Sequence, residues 1–152
     1  MAAIDWQWQT YTELSTSELY DILKLRQDVF ILEQQCLYPD LDDQDQISLH
    51  LTGRVDGKLR AYVRVIPKQK NDQAIMVIGR VIVDSSLRGT GAGKAMMRET
   101  LDYIAKHHQS LTIELSAQQY LLKFYQSFGF VATSEPYDDD GIMHINMRLA
   151  SP

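Results

Sequence analysis

The 152-residue sequence contains a single cysteine, Cys36, which excludes an intrachain disulfide and a zinc site made of four cysteines. No apolar run approaches the roughly 20 residues that a helix needs to cross a bilayer. The first ten residues also lack the basic and then apolar pattern of a secretory signal. Together these features predict one domain over residues 1–152, located in the cytoplasm and without a membrane partner.

Basic residues are outnumbered by acidic ones, 15 to 20, which gives a formal net charge of −5. A nucleic-acid-binding protein needs clustered lysine and arginine to neutralise phosphates, so this balance argues against a nucleic-acid partner. The charge is compatible with a cationic substrate, although an acidic surface more commonly keeps a protein in solution.

Hydrophobic periodicity predicts a strand, a helix, three strands, a helix, a strand, a helix and two final strands. The first helix begins at Ser15 and Glu18, which have capping-box spacing, and Asp56-Gly57 predicts a hairpin between the second and third strands. The predicted strands are 4–11, 48–55, 59–67, 74–84, 111–115, 130–137 and 142–149, and the predicted helices are 15–33, 91–106 and 118–129. This order predicts an α/β fold of the mixed α+β kind, with a mixed sheet and helices on both faces.

Three glycines fall within five positions in the segment that joins the fourth strand to the second helix, Arg88-Gly89-Thr90-Gly91-Ala92-Gly93. A Walker loop does not fit, because Arg88 replaces its first glycine and Ala95 its hydroxyl residue. A dinucleotide-binding loop fits poorly, because five residues separate the strand from the glycines. The segment does match the pattern R/Q-x-x-G-x-G/A. Its amides and the helix N-terminus could hold a pyrophosphate without a metal; the alternative is a tight turn with no ligand.

A second segment, AQQYLLKFYQSFGF, carries Phe124-Tyr125 and Gly129-Phe130. With the glycine segment, it resembles the GNAT superfamily of N-acetyltransferases, whose later motif commonly reads A-x-N-x-x-A-x-x-F-Y-x-x-x-G-F. Gln118 and Leu121 depart from that motif, which has asparagine and alanine there. More narrowly, VFILEQQCLYPDLDDQD, IGRVIV and FYQSFGF resemble the ElaA-like branch of the superfamily.

The resemblance implies acetyl-CoA as cosubstrate, bound where two parallel strands, 78–84 and 112–115, splay apart in a mostly antiparallel, twisted sheet. Main-chain groups of 81–83 would hold the pantetheine arm and polarise the thioester, and amides of 88–94 would hold the pyrophosphate. The implied cofactor-binding residues are Val81, Ile82, Val83, Arg88, Gly89, Thr90, Gly91, Ala92, Gly93, Lys94, Gln118, Phe124 and Tyr125.

The resemblance also implies transfer of the acetyl group to a primary amine of a small molecule or peptide, between segments 33–45 and 135–144. Tyr125 matches the position that protonates the departing thiolate, against the alternative that it only packs among aromatic side chains. A base must take the amine proton, and Glu33 and His144 are the catalytic candidates, with Asp42, Asp45 and Glu135 also considered. Cys36 is interpreted as an ordinary thiol.

Arg64 and Arg80 each interrupt an apolar strand and therefore need acidic partners. One hypothesis pairs them with Glu33 or with aspartates of segment 35–47; the other makes one of them an anchor for a substrate carboxylate. No metal is expected, because the histidines lack helical ligand spacing and the aspartates do not form a calcium loop. A homodimer is compatible with the sequence. The rival functions are a non-catalytic acyl-CoA-binding regulatory module and, more weakly, an ATP- or NAD-binding domain.

Overall fold

The computed structural model describes residues 3–109 and 111–150. The strands are β1 (Asp5–Thr10), β2 (Leu49–Val55), β3 (Lys58–Lys70), β4 (Gln73–Val83), β5 (Thr112–Gln118), β6 (Val131–Ala132), β7 (Tyr137–Asp139) and β8 (Ile142–Leu149). The α-helices are α1 (Thr16–Arg26), α2 (Ala92–His107) and α3 (Leu122–Gln126). A π-helical stretch, Gln27–Glu33, continues α1, and single 3-10 turns span Tyr11–Glu13, Asp45–Ile47, Ser85–Leu87 and Gln119–Leu121. Over these residues, we find no helix with the length and apolarity to cross a membrane.

The strands form one sheet in the order β1-β2-β3-β4-β5-β8-β6, with β7 also paired to β8. Every strand pair is antiparallel except β4–β5, which is parallel and joined through α2. A parallel pair needs such a crossover, whereas antiparallel neighbours can be joined by short turns. The predicted mixed, mostly antiparallel sheet is confirmed.

Two short sequence motifs, a capping box and an Asp-Gly pair, form the local structures predicted for them. The Glu18 amide donates to Ser15 Oγ at 3.0 Å and the Ser15 amide donates to Glu18 Oε1 at 2.9 Å, so the capping box begins α1. Asp56 and Gly57 have φ angles of 51° and 79°, which is the left-handed pair that a two-residue hairpin turn between β2 and β3 requires.

Apolar side chains on opposite faces of the sheet form two cores. The larger core joins α2 to the sheet through Met96, Met97 and Ile104, which pack with Val63 and Val65 of β3. On the other face Ile22, Val29 and Phe30 pack against Tyr62 and Ile82. Because successive side chains of β3 point to opposite faces of the sheet, α2 packs on one face and α1 on the other. The predicted helices on both faces are confirmed.

The structure differs from the prediction over residues 118–137. Residue 118 stays extended, because β5 pairs with β8 as far as Gln118, so the helix is reduced to α3, which ends at Gln126. The turn that follows reaches Gly129, which has the predicted left-handed conformation. The predicted strand 130–137 breaks into β6 and β7. Between them Ser134 Oγ accepts the Asn146 amide at 3.0 Å in place of a ladder bond, and Pro136 has no N–H to donate.

Candidate active site

The sheet opens between its two parallel strands. β4 pairs with β5 only from Ile75–Ile78 to Thr112–Leu115, although β4 continues to Val83 and β5 to Gln118. Beyond the paired residues, the two strands leave a gap at the predicted position. Main-chain groups along such a gap are open to a ligand, because a buried backbone N–H or C=O group needs a partner.

A bulge in β4 lies at the start of this gap. Tyr62 pairs with Ile82 and Arg64 pairs with Gly79, so Arg80 and Val81 together lie opposite Val63. Arg80 has a φ of 50°, a left-handed conformation that costs a residue with a Cβ roughly 1–2 kcal/mol. A bulge bends its strand and increases the local twist, which explains why β4 leaves β5 here.

The glycine segment turns the chain from β4 into α2. Gly89 has a φ of 79°, and Gly91, the N-cap residue of α2, has a φ of 85°. No side chain fills the space beside either residue, so the left-handed backbone is the reason for glycine. The first turn of α2 contains no acidic residue, and Lys94 lies exposed within it. The amides at the start of α2, the helix dipole and this ammonium group together suit an anion. The amides of Arg88 and Thr90 already donate to the carbonyl oxygens of Ser85 and Leu87, at 3.4 and 3.2 Å, so the predicted set of amides over 88–94 is reduced by these two.

A cavity of about 780 Å³ occupies the gap. Its lining includes the predicted site residues Glu33, Val81, Ile82, Val83, Arg88, Gly93, Gln118, Phe124, Tyr125 and His144. The other predicted residues, Gly89, Thr90, Gly91, Ala92 and Lys94, lie outside this lining, in the adjoining glycine turn and the start of α2. The fold thus brings segments from distant parts of the chain to one opening in the sheet.

Tyr125 lies on the side of α3 that faces both the cavity and the larger core. Its ring packs edge to face against Phe124 and Phe130, with centroids 5.2 and 6.0 Å away, and the residue is 4% exposed. Burial raises the pKa of Tyr125 to about 12. The phenol therefore stays protonated at neutral pH. The ring does pack among aromatic side chains, and its role as the acid stays a prediction.

His144 and Glu33 have different surroundings in the cavity. His144 Nδ1 lies 2.8 Å from the Ile142 carbonyl oxygen, which can only accept, so Nδ1 carries a proton and Nε2 of the neutral ring is an acceptor. Glu33 Oε2 accepts from Arg88 Nη2 at 2.7 Å, and Arg88 Nε donates to the Val83 carbonyl oxygen at 3.0 Å. His144 thus presents a basic nitrogen, whereas Glu33 holds the arginine that begins the glycine segment.

Three arginines and three aspartates form what we name the arginine–aspartate cluster: Arg26, Arg64, Arg80, Asp40, Asp42 and Asp45. Arg64 binds both carboxylate oxygens of Asp42, at 2.8 and 2.7 Å, and Asp45 at 3.1 Å. Arg80 Nε donates to Asp40 Oδ1 at 2.8 Å and Nη2 to Asp42 Oδ2 at 3.3 Å. The pairing hypothesis for Arg64 and Arg80 is confirmed with the loop aspartates rather than with Glu33, so the structure favours a wall of the cavity over a carboxylate anchor.

Arg26 is the third arginine of the cluster, and the sequence analysis missed it. It donates to Asp40 Oδ2 at 2.9 Å and to Asp45 Oδ1 at 2.7 Å, with a fully buried side chain. Nearby, His50 Nε2 donates to the Asp45 carbonyl oxygen at 2.9 Å and Nδ1 accepts from the Tyr62 hydroxyl at 2.6 Å. Burial lowers the pKa of His50, in keeping with a neutral ring. A charged residue on the apolar stripe of a predicted helix was the signal available for Arg26.

The cluster corrects the role considered for two aspartates. Burial would raise the pKa of Asp42, but the hydrogen bonds and charge of Arg64 outweigh it and lower that pKa to about 2. Arg26 and Arg64 likewise lower the pKa of Asp45 against the effect of burial. Carboxylates held this firmly in the ionised form are poor proton acceptors at neutral pH, so neither aspartate suits the base.

The structure favours neither Glu135 nor Cys36 as a catalytic residue. Glu135 is exposed and does not line the cavity. Cys36 is a buried residue of the cavity lining. Desolvation, with the charges of Asp140 and Asp139, raises the pKa of its thiol, and this disfavours a thiolate nucleophile. Across residues 3–109 and 111–150, histidine, cysteine and acidic side chains form no group of three or more that could hold a metal ion.

The described residues thus combine a gap between parallel strands, a glycine turn at a helix N-terminus and a cavity with a buried tyrosine. The sequence profile of the acetyltransferase (GNAT) domain matches residues 13–151. The chain belongs to this family of acyltransferases, as the sequence resemblance predicted.

Two solved structures show the same fold at substantial sequence identity. Protein ElaA of Escherichia coli K12 is 43% identical over 146 residues, which are 95% of each chain. The crystal structure of Escherichia coli ElaA superposes with a TM-score of 0.90 at 42% identity, covering 96% of this chain and 99% of the other. An acyl-CoA N-acyltransferase from Pseudomonas aeruginosa superposes with a TM-score of 0.92 at 37% identity, covering 97% and 100%. The ElaA-like branch predicted from the sequence is confirmed.

Proposed function

We propose that the protein is an acetyl-CoA-dependent N-acetyltransferase that acts on a primary amine of a small molecule or peptide. The observation that carries this proposal is the opening between β4 and β5, which has the glycine turn beside it and Tyr125 and His144 in its lining. Membership of the GNAT family supports an acyl-CoA cosubstrate, and the Pseudomonas aeruginosa neighbour is described as an acyl-CoA N-acyltransferase.

The residues present fit two parts of coenzyme A, the pyrophosphate and the pantetheine arm. Amides of 89 and 91–94, at the N-terminus of α2, hold the pyrophosphate, since Gly89 and Gly91 give the chain the left-handed turn that such a cradle needs. Main-chain groups of Val81, Ile82 and Val83, on the part of β4 that no longer pairs with β5, bind the pantetheine arm as a strand would. Gln118 and Phe124 line the opposite side.

Acetyl-CoA supplies an acyl group activated as a thioester. An N–H near Val81–Ile82 polarises its carbonyl, a contact worth about 3 kcal/mol per donor where it has been measured in other enzymes. His144 Nε2 takes the proton of the attacking amine, as the C–N bond forms. Tyr125 gives its proton to the sulfur, as the C–S bond breaks.

A non-catalytic acyl-CoA-binding module is the rival function. Such a module needs the glycine turn and the gap but neither a base nor an acid. The presence of His144 and Tyr125 in one cavity supports the enzyme. Location in the cytoplasm, a homodimer and a single domain over residues 1–152, whose ends lie outside the described residues, stay predictions.

Thermal unfolding with acetyl-CoA, ATP and NAD tests the ligand class. A ligand at 100 times its dissociation constant stabilises the fold by about 2.7 kcal/mol, so we expect acetyl-CoA alone to raise the unfolding temperature. Equal stabilisation by ATP or NAD, or none by acetyl-CoA, would contradict the proposal. Thiol release from acetyl-CoA with a panel of small amines and lysine peptides then separates the functions: tight binding without release on any amine indicates the module.

A further inference from the structure

Arg80 has a left-handed backbone conformation that is unusual for a residue inside a strand. Seven described non-glycine residues have a positive φ, and six of them lie in turns or loops: Gln35, Asp43, Asp56, Asn71, Asp72 and Asp140. Arg80 alone lies inside a strand, at the bulge where β4 leaves β5. A conformation that residues with a Cβ avoid therefore occurs where the cavity opens, and something has to maintain it.

The side chain of Arg80 is held at several points. Asp40 receives two of its hydrogen bonds, from Nε to Oδ1 at 2.8 Å and from Nη2 to the carbonyl oxygen at 3.0 Å. Asp42 Oδ2 lies 3.3 Å from Nη2, and the guanidinium lies 5.4 Å from the centroid of the Tyr38 ring. The side chain is 18% exposed. Charge-assisted bonds of this kind are the strong ones, and they can stabilise a strained backbone.

Asp40 also connects the bulge to the rest of the cluster. Its Oδ2 accepts from Arg26 of α1 while its Oδ1 accepts from Arg80 of β4. The loop that carries Asp40 and Asp42 contributes one part of the cavity lining, and the bulge contributes another. A single carboxylate thus fixes these two parts of the lining relative to each other.

We propose that Arg80 is a positioning residue: its guanidinium, held by Asp40, keeps the β4 bulge in the left-handed conformation that opens the sheet for coenzyme A. This inference rests on the proposed function for the identity of the ligand. It requires no contact between Arg80 and substrate. The guanidinium maintains the backbone of Arg80 and Val81, and that backbone places the main-chain groups next to the thioester.

Comparing Arg80→Ala with Arg80→Gly tests this role, because glycine adopts the left-handed conformation without help and alanine does not. We expect Arg80→Ala to weaken binding of coenzyme A, measured by calorimetry, at least tenfold and Arg80→Gly to weaken it less than threefold. We also expect amide hydrogen exchange in residues 76–84 to accelerate at least tenfold in the alanine variant only. Equal losses in the two variants would mean that the side chain acts directly, and no loss in either would mean that the bulge needs no support; each result would overturn the proposal.

Asp40→Asn removes the partner without changing residue 80, and it repeats the test if Arg80→Ala does not fold. We expect at least a tenfold loss of affinity in the wild-type background and less than threefold in the Arg80→Gly background. A full loss in both backgrounds would show that Asp40 acts through Arg26 instead. Arg54→Ala is the matched control, since it removes another arginine–aspartate pair, Arg54 Nη2 to Asp21 Oδ2 at 3.1 Å, away from the cavity.

The two proposals fail separately. If the wild-type protein binds no coenzyme A, the proposed function is wrong, and the hydrogen exchange of residues 76–84 still decides whether Arg80 maintains the bulge. If coenzyme A binds but the alanine and glycine variants behave alike, the proposed function stands and the role of Arg80 is wrong.

Discussion

Among single residues, Tyr125 is the acid of the proposed reaction: it lines the cavity, and burial raises its pKa to about 12, so its hydroxyl carries a proton at neutral pH. We expect Tyr125→Phe to lower kcat at least tenfold and to leave the affinity for coenzyme A within twofold, since the ring still packs on Phe124 and Phe130. Steady-state kinetics and calorimetry measure the two effects. Tyr103→Phe, which alters a tyrosine stacked on Trp8 outside the cavity lining, is the control. Unchanged turnover would remove Tyr125 from the chemistry.

His144 and Glu33 can be separated by substitutions that preserve their hydrogen bonds. An asparagine at 144 can still donate to the Ile142 carbonyl oxygen but offers no basic nitrogen, so we expect His144→Asn to lower kcat at least 20-fold. Glu33→Gln can still accept from Arg88, and we expect kcat within threefold of wild type. Thiol release with a reactive amine measures both. The opposite ranking would assign the base to Glu33.

For the glycine turn, an informative substitution is one at a position where glycine is required only by its positive φ and not by lack of space. Gly91 at the start of α2 and Gly57 in the β2–β3 hairpin have φ angles of 85° and 79°, and neither has an atom close to where a Cβ would lie. We expect Gly91→Ala and Gly57→Ala each to lower the free energy of unfolding by about 1–2 kcal/mol. Urea titrations measure this loss.

Only one of these two variants changes the proposed anion site. We expect Gly91→Ala to weaken coenzyme A binding at least tenfold, because it shifts the amides at the start of α2, and Gly57→Ala to leave it unchanged. Equal affinities in the two variants would show that the turn does not hold the pyrophosphate.

The elements that the sequence predicted well depend on neighbours along the chain. Ser15 with Glu18, Asp56 with Gly57, and the glycine segment each specify their backbone within a few positions, and each forms as expected. The bulge at Arg80 could not be predicted in this way. Gly79 and Arg80 interrupt the apolar pattern of β4, and a glycine inside a strand often marks a bulge, but this does not specify a left-handed arginine. The partner of Arg80, Asp40, lies 40 positions away.

The residues of the candidate site likewise fall into those found from short motifs and those that depend on tertiary contacts. The glycine turn and Tyr125 could be found from short motifs, and the structure places both at the gap. Arg26 was missed, because only tertiary structure brings a helix arginine to Asp40 and Asp45. Asp42 was considered as a base because it lies in segment 33–45, and the sequence did not show which aspartate of the loop Arg64 binds.

At the scale of the whole molecule, the arginine–aspartate cluster joins α1, β3 and β4 to one loop, so its protonation should affect global stability. Arg64 lowers the pKa of Asp42 from 3.8 to about 2, against the opposing effect of burial. In the unfolded chain this carboxylate titrates near its ordinary value, so the unfolded state binds more protons at pH 2–4. The resulting stabilisation is present above about pH 4 and is lost as the pH falls towards 2.

Urea unfolding between pH 5 and pH 2.5 measures this loss. A fall in pKa from 3.8 to about 2 corresponds to about 2.5 kcal/mol in full, and we expect solvent screening of the partly exposed carboxylate to leave roughly 1 kcal/mol from Asp42. Asp42→Asn should be less stable at pH 7, because Arg64 loses a charged partner, and should show a smaller decrease in acid. Asp56→Asn is the control: asparagine before glycine suits the same hairpin turn, so its acid slope should equal that of wild type. If Asp42→Asn and wild type lost stability in parallel, protonation of Asp42 would not contribute to unfolding in acid, and the part of the cluster responsible would have to be Asp45, whose pKa Arg26 and Arg64 also lower.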